Sequence, residues 1–136
     1  MKDYLVRGTV KNRAIRVMAC KTTDLVEVAR QKHDLWPTSS AALGRMMSAT
    51  LMMGSMLKDN EKLTVVINGG GPIGTMLCVT QGDGRIRGFV GDPHCMFTNN
   101  RTGKLDVGYA VGTQGYLQVV RDMGLKEPFT SQIPLQ

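Results

Sequence analysis

Aromatic side chains are scarce in this sequence, with one Trp, three Tyr and three Phe among 136 residues. A core must therefore be filled by aliphatic and thioether groups, and ten Met are available for it. Three cysteines, Cys20, Cys78 and Cys95, are odd in number and lie far apart. No pair has the close spacing of a zinc ligand set or a redox dithiol, so no metal, disulfide or cofactor site is expected in this chain. Only two histidines are present, His33 and His94, and no catalytic triad can be assembled around them. No catalytic residue is assigned, and the chain reads as a binding domain rather than an enzyme. The longest apolar stretch, from Ala41 to Leu57, is interrupted by Arg45 and by several Ser, Thr and Gly residues. A membrane span, which needs about twenty largely apolar residues, is not expected. Met1-Lys2-Asp3-Tyr4 leads straight into an alternating pattern without a signal-peptide core, so a cytoplasmic location is the expectation.

What is present suits one α+β domain spanning residues 1–136. Apolar residues make up 42% of the chain, and sixteen glycines point to tight turns and short strands. The net charge of +6 reads as spread over the whole length rather than gathered in one tract. Such a balance permits binding to nucleic acid, anionic lipid or acidic protein and proves none of them. Tyr4, Val6 and Val10 alternate with Arg7, Thr9 and Lys11, and Ile15, Val17 and Ala19 share one parity after a turn at Lys11-Asn12-Arg13. This is the period of a half-buried hairpin. Thr23 or Asp24 caps a first helix that ends near His33-Asp34, and Trp36-Pro37-Thr38-Ser39 reads as a connector and N-cap for a second helix over Ser39–Leu57. That second helix is apolar nearly all round, which implies burial on several sides, or burial on one and an adhesive surface on another. The period then changes to two. Strands are predicted at Leu63–Ile67, Thr75–Thr80, Arg85–Val90 (after the Gly82-Asp83-Gly84 turn), Leu105–Val111 and Tyr116–Arg121, with a polar loop from Gly91 to Lys104. A mostly antiparallel sheet of about six strands packed against two central helices is the expected architecture.

Several short motifs fail a mechanical test. Gly69-Gly70-Gly71-Pro72-Ile73-Gly74 matches the dinucleotide fingerprint, yet a strand rather than a helix follows it, so no helix N-terminus would meet a pyrophosphate. Ser55 and Lys58 have the spacing of an acyl-transferring serine and lysine but lack the companion motifs. His94 and Cys95 are neighbours in a loop beside Pro93, and adjacency does not position a base against a thiol. Arg7, Lys11, Arg13, Arg16 and Lys21 make the opening hairpin basic. Tyr4 is its only aromatic, which leaves a small nucleic-acid-binding module as the alternative reading.

Three stretches together are more specific than any of these motifs. Trp36-Pro37-Thr38-Ser39-Ser40-Ala41-Ala42-Leu43-Gly44-Arg45 with the Met-rich helix to Lys58 is the first, and Lys62-Leu63-Thr64-Val65 leading to Gly69–Gly74 is the second. The third is Gly103-Lys104-Leu105-Asp106-Val107, then Ala110-Val111-Gly112-Thr113, then Val119-Val120-Arg121-Asp122. In this order and spacing the chain, from about Tyr4 to Phe129, resembles the N-terminal domain of the bacterial redox-regulated 33 kDa heat-shock chaperonin family. The resemblance implies an ATP-independent holdase, a stress-response chaperone that binds unfolded client proteins and prevents their aggregation, with homodimer formation expected. It further implies a C-terminal module whose CxC and CxxC pairs bind zinc when reduced and form disulfides when oxidised. Neither pair occurs here, so zinc is expected only in that module, and the apolar ending at Ile133-Pro134-Leu135-Gln136 suggests a core cut short of its regulator. The client-contact residues stay unassigned.

Overall fold

A computed structural model describes residues 2–58 and 60–135. Among them, seven strands and three helices form an α+β fold with two antiparallel sheets. β1 (Tyr4–Val10) and β2 (Ile15–Lys21) make a hairpin of their own, with Tyr4 opposite Lys21 and Val10 opposite Ile15. α1 (Thr23–His33) and α2 (Pro37–Gly54) follow. β3 (Lys62–Asn68), β4 (Met76–Gln81), β5 (Ile86–Val90), β6 (Gly115–Asp122) and β7 (Phe129–Leu135) build the second sheet, ordered β5-β4-β3-β6-β7. The fold class is the expected one, but the single sheet of about six strands is two sheets. α2 lies between them as a middle layer, touching β3, β4 and β5 on one side and β2 on the other.

The middle position explains why α2 is apolar nearly all round. Ala42, Leu43, Met46 and Met47 are buried with Leu63, Val65, Met76, Cys78 and Val90 in one core. The helix begins at Pro37, with Trp36 as its N-cap, two residues before the expected Ser39. Proline suits the first helical position because its missing N–H has no partner there anyway. Thr38 and Ser39 are therefore not caps. Both are wholly buried, and their hydroxyls hold the loop after β5. Thr38 Oγ1 donates to the Phe97 carbonyl (3.1 Å) and accepts the Phe97 amide (2.9 Å). Ser39 Oγ donates to the Asp92 carbonyl and accepts the Cys95 amide, both at 3.1 Å. At the other end of α2, a side chain at Gly54 would collide with Thr80 on β4, so glycine permits this close approach.

Two further expectations are corrected. Leu105–Val111 is not a strand: only Leu105 pairs, in an isolated bridge with Thr98, and Val107–Val111 forms the short helix α3. Asp106 decides this, because its carboxylate accepts the Tyr109 amide as an N-cap. The α1 N-cap is Thr22 rather than Thr23 or Asp24, and its side chain makes no capping bond. The Asp3 carboxylate, arriving from before β1, takes the Asp24 and Leu25 amides instead.

Candidate functional site

The hairpin is inverted relative to the expectation of a buried apolar parity. Residues opposite each other in an antiparallel pair share a face. Leu5, Arg7, Met18 and Cys20 therefore point together, and they point to α2. Arg7 Nη1 donates to the Ser55 carbonyl at 2.7 Å, Ser55 Oγ lies 3.3 Å from Met18 Sδ, and Cys20 Sγ lies 3.8 Å from the Ser48 carbonyl. Arg16, on the same face, donates to Met56 Sδ at 3.1 Å. Both guanidinium groups thus reach atoms at or just past the C-terminal end of α2. The opposite parity carries Tyr4, Val6, Val10, Ile15 and Val17, and each is 45–58% exposed. An apolar strand face thus looks outward on a two-stranded sheet, a unit of marginal stability by itself.

A second apolar face is uncovered at the β7 edge of the five-stranded sheet. Ile133 pairs with Leu117 and Phe129 with Arg121, in the parity of the buried Leu63 and Val65. This is the core side of the sheet, yet Phe129 is 63% and Ile133 54% exposed. The helix layer sits over β3, β4 and β5, and the sheet overhangs it at β7. β7 itself has no counterpart among the elements expected from the sequence. The Met-rich stretch divides in the same way: Met46 and Met47 are buried, whereas Met53 and, past the end of α2 at Gly54 rather than the expected Leu57, Met56 are exposed.

Between β1, α1 and the β4–β5 turn runs a groove of about 710 Å³, floored by Leu5, Leu25 and Leu51 and rimmed by Arg7, Asp24 and Asp83. Among the described residues the catalytic look-alikes do not assemble into a site. Ser55 Oγ donates to the Met52 carbonyl at 2.6 Å, with Met18 Sδ alongside at 3.3 Å, and not to a base. Gly69–Gly74 links β3 to β4 with no helix starting inside it, and a side chain at Gly71 would collide with the Ala110 carbonyl. His94 bonds to Asp34 at 3.0 Å and lies against the Trp36 ring, while the buried Cys95 thiol donates to the Asp92 carbonyl. Burial raises the Cys95 thiol above its ordinary range and pushes the Cys78 thiol up to about 12, the opposite of an activated nucleophile. Among the described residues, no three His, Cys, Asp or Glu side chains are grouped so as to hold a metal ion, so Cys20, Cys78 and Cys95 do not fit zinc. No described helix is long and apolar enough to cross a membrane.

What the geometry offers is apolar β surface facing water. Contiguous exposed apolar surface of this kind is a candidate binding surface. The sequence pattern showed the alternation but not its direction, because Leu5, Met18 and Cys20 are apolar too and competed for the same helix.

Comparison with known proteins is consistent across sequence and structure. The model of the Hsp33 protein family matches residues 3–136. The 33 kDa chaperonin of Geobacillus sp. (strain WCH70) is 50% identical over 135 residues, covering 99% of this chain and 46% of that protein. That of Bacillus subtilis (strain 168) is 49% identical over 133 residues, covering 98% and 46%. The crystal structure of the 33 kDa chaperonin (heat shock protein 33 homolog) from Thermotoga maritima superimposes with a TM-score of 0.91 at 36% identity, covering 97% of this chain and 45% of that one. The chain spans a little under half the length of these relatives, and the family assignment holds over nearly all of its residues: it belongs to the Hsp33 family.

Proposed function

We propose that this chain is the client-binding core of an ATP-independent holdase, which captures unfolding proteins on apolar β surface and keeps them from aggregating. The observation that carries the reading is the outward apolar parity of the hairpin, in a family whose relatives are named chaperonins. A flat surface of Val and Ile side chains suits many partners without a shaped pocket. The chain acts by binding and performs no chemistry of its own. It corresponds to the N-terminal part of the longer relatives and works in the cytoplasm, and redox control with its zinc belongs to the part of the family protein outside these residues. Self-association into a homodimer competes with client for the same apolar faces.

Light scattering with a chemically unfolded client tests this. Aggregation is expected to slow at near-stoichiometric ratios without ATP or oxidant, and reductant is expected to make no difference. If aggregation proceeds unchanged at every ratio, the reading fails. Sedimentation at increasing concentration reports the dimer.

A further inference from the structure

The net charge of +6 is concentrated in the opening hairpin rather than spread over the whole length. Residues 1–21 hold six basic groups, Lys2, Arg7, Lys11, Arg13, Arg16 and Lys21, against one acid, Asp3. The rest of the chain has eleven basic residues against ten acidic ones and is close to neutral. The one acid is also diverted, because the Asp3 carboxylate caps α1 through the Asp24 and Leu25 amides, where the helix end takes up its charge. In the rest of the chain three carboxylates are matched by arginines, Glu27 by Arg30, Asp83 by Arg85 and Glu61 by Arg121. The groove beneath β1 is mixed in sign, with Asp24 and Asp83 beside Arg7. The outward face is not mixed. It is apolar in the middle, at Val6, Val10, Ile15 and Val17, and basic at the tip, where Lys11 and Arg13 are exposed.

From this charge distribution we infer that the hairpin face selects unfolded segments of net negative charge, docking their apolar residues on Val6, Val10, Ile15 and Val17 while Lys11 and Arg13 draw in flanking carboxylates. The inference rests on the holdase reading and deepens it by naming the client class. Complementary charge raises encounter rates and suppresses like-charged partners, and both effects fade as salt shortens the screening length to about 8 Å at physiological strength. A polypeptide is favoured over nucleic acid because the face offers aliphatic side chains, with Tyr4 alone as a stacking surface.

The test uses the 136-residue chain and two fluorescent peptides with identical Val and Leu positions, one with Glu and one with Lys at the remaining sites. At low salt the Glu peptide is expected to bind about tenfold tighter, with the difference shrinking severalfold at high salt. Lys11→Glu with Arg13→Glu, two exposed turn residues, is expected to abolish or reverse the preference while leaving the melting curve in place. Equal affinity for both peptides, insensitive to salt, overturns the charge selection and leaves the holdase reading standing if aggregation is still suppressed. Binding of neither peptide, together with no suppression, overturns both. Tighter binding to phosphatidylglycerol-containing vesicles or to a single-stranded RNA than to the Glu peptide overturns the choice of a polypeptide as the occupant.

Discussion

The Asp3 carboxylate accepts the Leu25 amide at 2.8 Å, joining the residue before the first strand to the first turn of the first helix. Because the same carboxylate also takes the Asp24 amide, one side chain caps α1 and anchors the hairpin root. Asp3→Ala is expected to cost about 1 kcal/mol, the usual worth of an N-cap. Urea denaturation checks the loss. Asp3→Asn, which keeps an acceptor oxygen, is expected to recover about half of it.

Cys78 makes stability fall in alkali. Its thiol is held near 12 in the fold, against an ordinary value of 9.0, mainly because burial disfavours the thiolate and only partly offset by the Thr50 hydroxyl. Above about pH 9 the unfolded chain releases this proton and the folded chain keeps it, so unfolding is favoured by up to about 1.4 kcal/mol for each further pH unit until the folded thiol titrates. Below pH 9 both states are protonated and the effect vanishes. In Cys78→Ala this part of the alkaline slope disappears, so the stability gap between wild type and variant should narrow from pH 9 to 11.

Gly54 and Thr80 set the distance between α2 and β4. Gly54→Ala gains about 1 kcal/mol of helix propensity but drives its methyl into the Thr80 side chain, an overpacking that costs about 1–3 kcal/mol. A net loss is expected on thermal melting. Thr80→Ser, which removes the methyl that a Gly54 side chain would strike, should restore stability in the double variant.

Glu61 is buried at 5% exposure, and its Oε2 accepts both Nε and Nη2 of Arg121 at 3.2 and 3.1 Å. Arg121→Met leaves a carboxylate without its partner and is expected to cost about 2 kcal/mol, below the range for fully buried pairs because Arg121 is itself partly in water. Adding Glu61→Gln should return part of the loss, and a double-mutant cycle in urea measures the coupling.

The elements with the strongest period were legible in the sequence. α1 and the β3–β5 meander lie within a residue or two of their expected positions, since apolar spacing and the Gly82-Asp83-Gly84 turn define them locally. β7 was not legible: Phe129, Ser131 and Ile133 alternate, but Pro128 and Pro134 interrupt the run, and it pairs as an edge strand where proline is tolerated. The α3 turn was missed because Leu105–Val111 is apolar enough for a strand, and the Asp106 cap outweighs that propensity. The candidate surface was half legible. Alternation in Tyr4–Val10 was plain, but its direction depends on which parity α2 accepts, and that is set by Ser48, Ser55 and Met56, far along the chain.

The hydroxyl clasp between α2 and the loop after β5 also fixes an order of events. Thr38 and Phe97 are 59 positions apart, and Ser39 and Cys95 are 56 apart, with β3, β4 and β5 in between. Closing such a long span before the meander exists would carry a large loop entropy for four hydrogen bonds, whereas the finished meander delivers the loop to the helix at little further cost. The clasp is therefore expected to form after the meander. If it also forms after the rate-limiting barrier, its loss speeds escape from the native state more than it slows arrival, which makes this end of α2 a kinetic lock on the core.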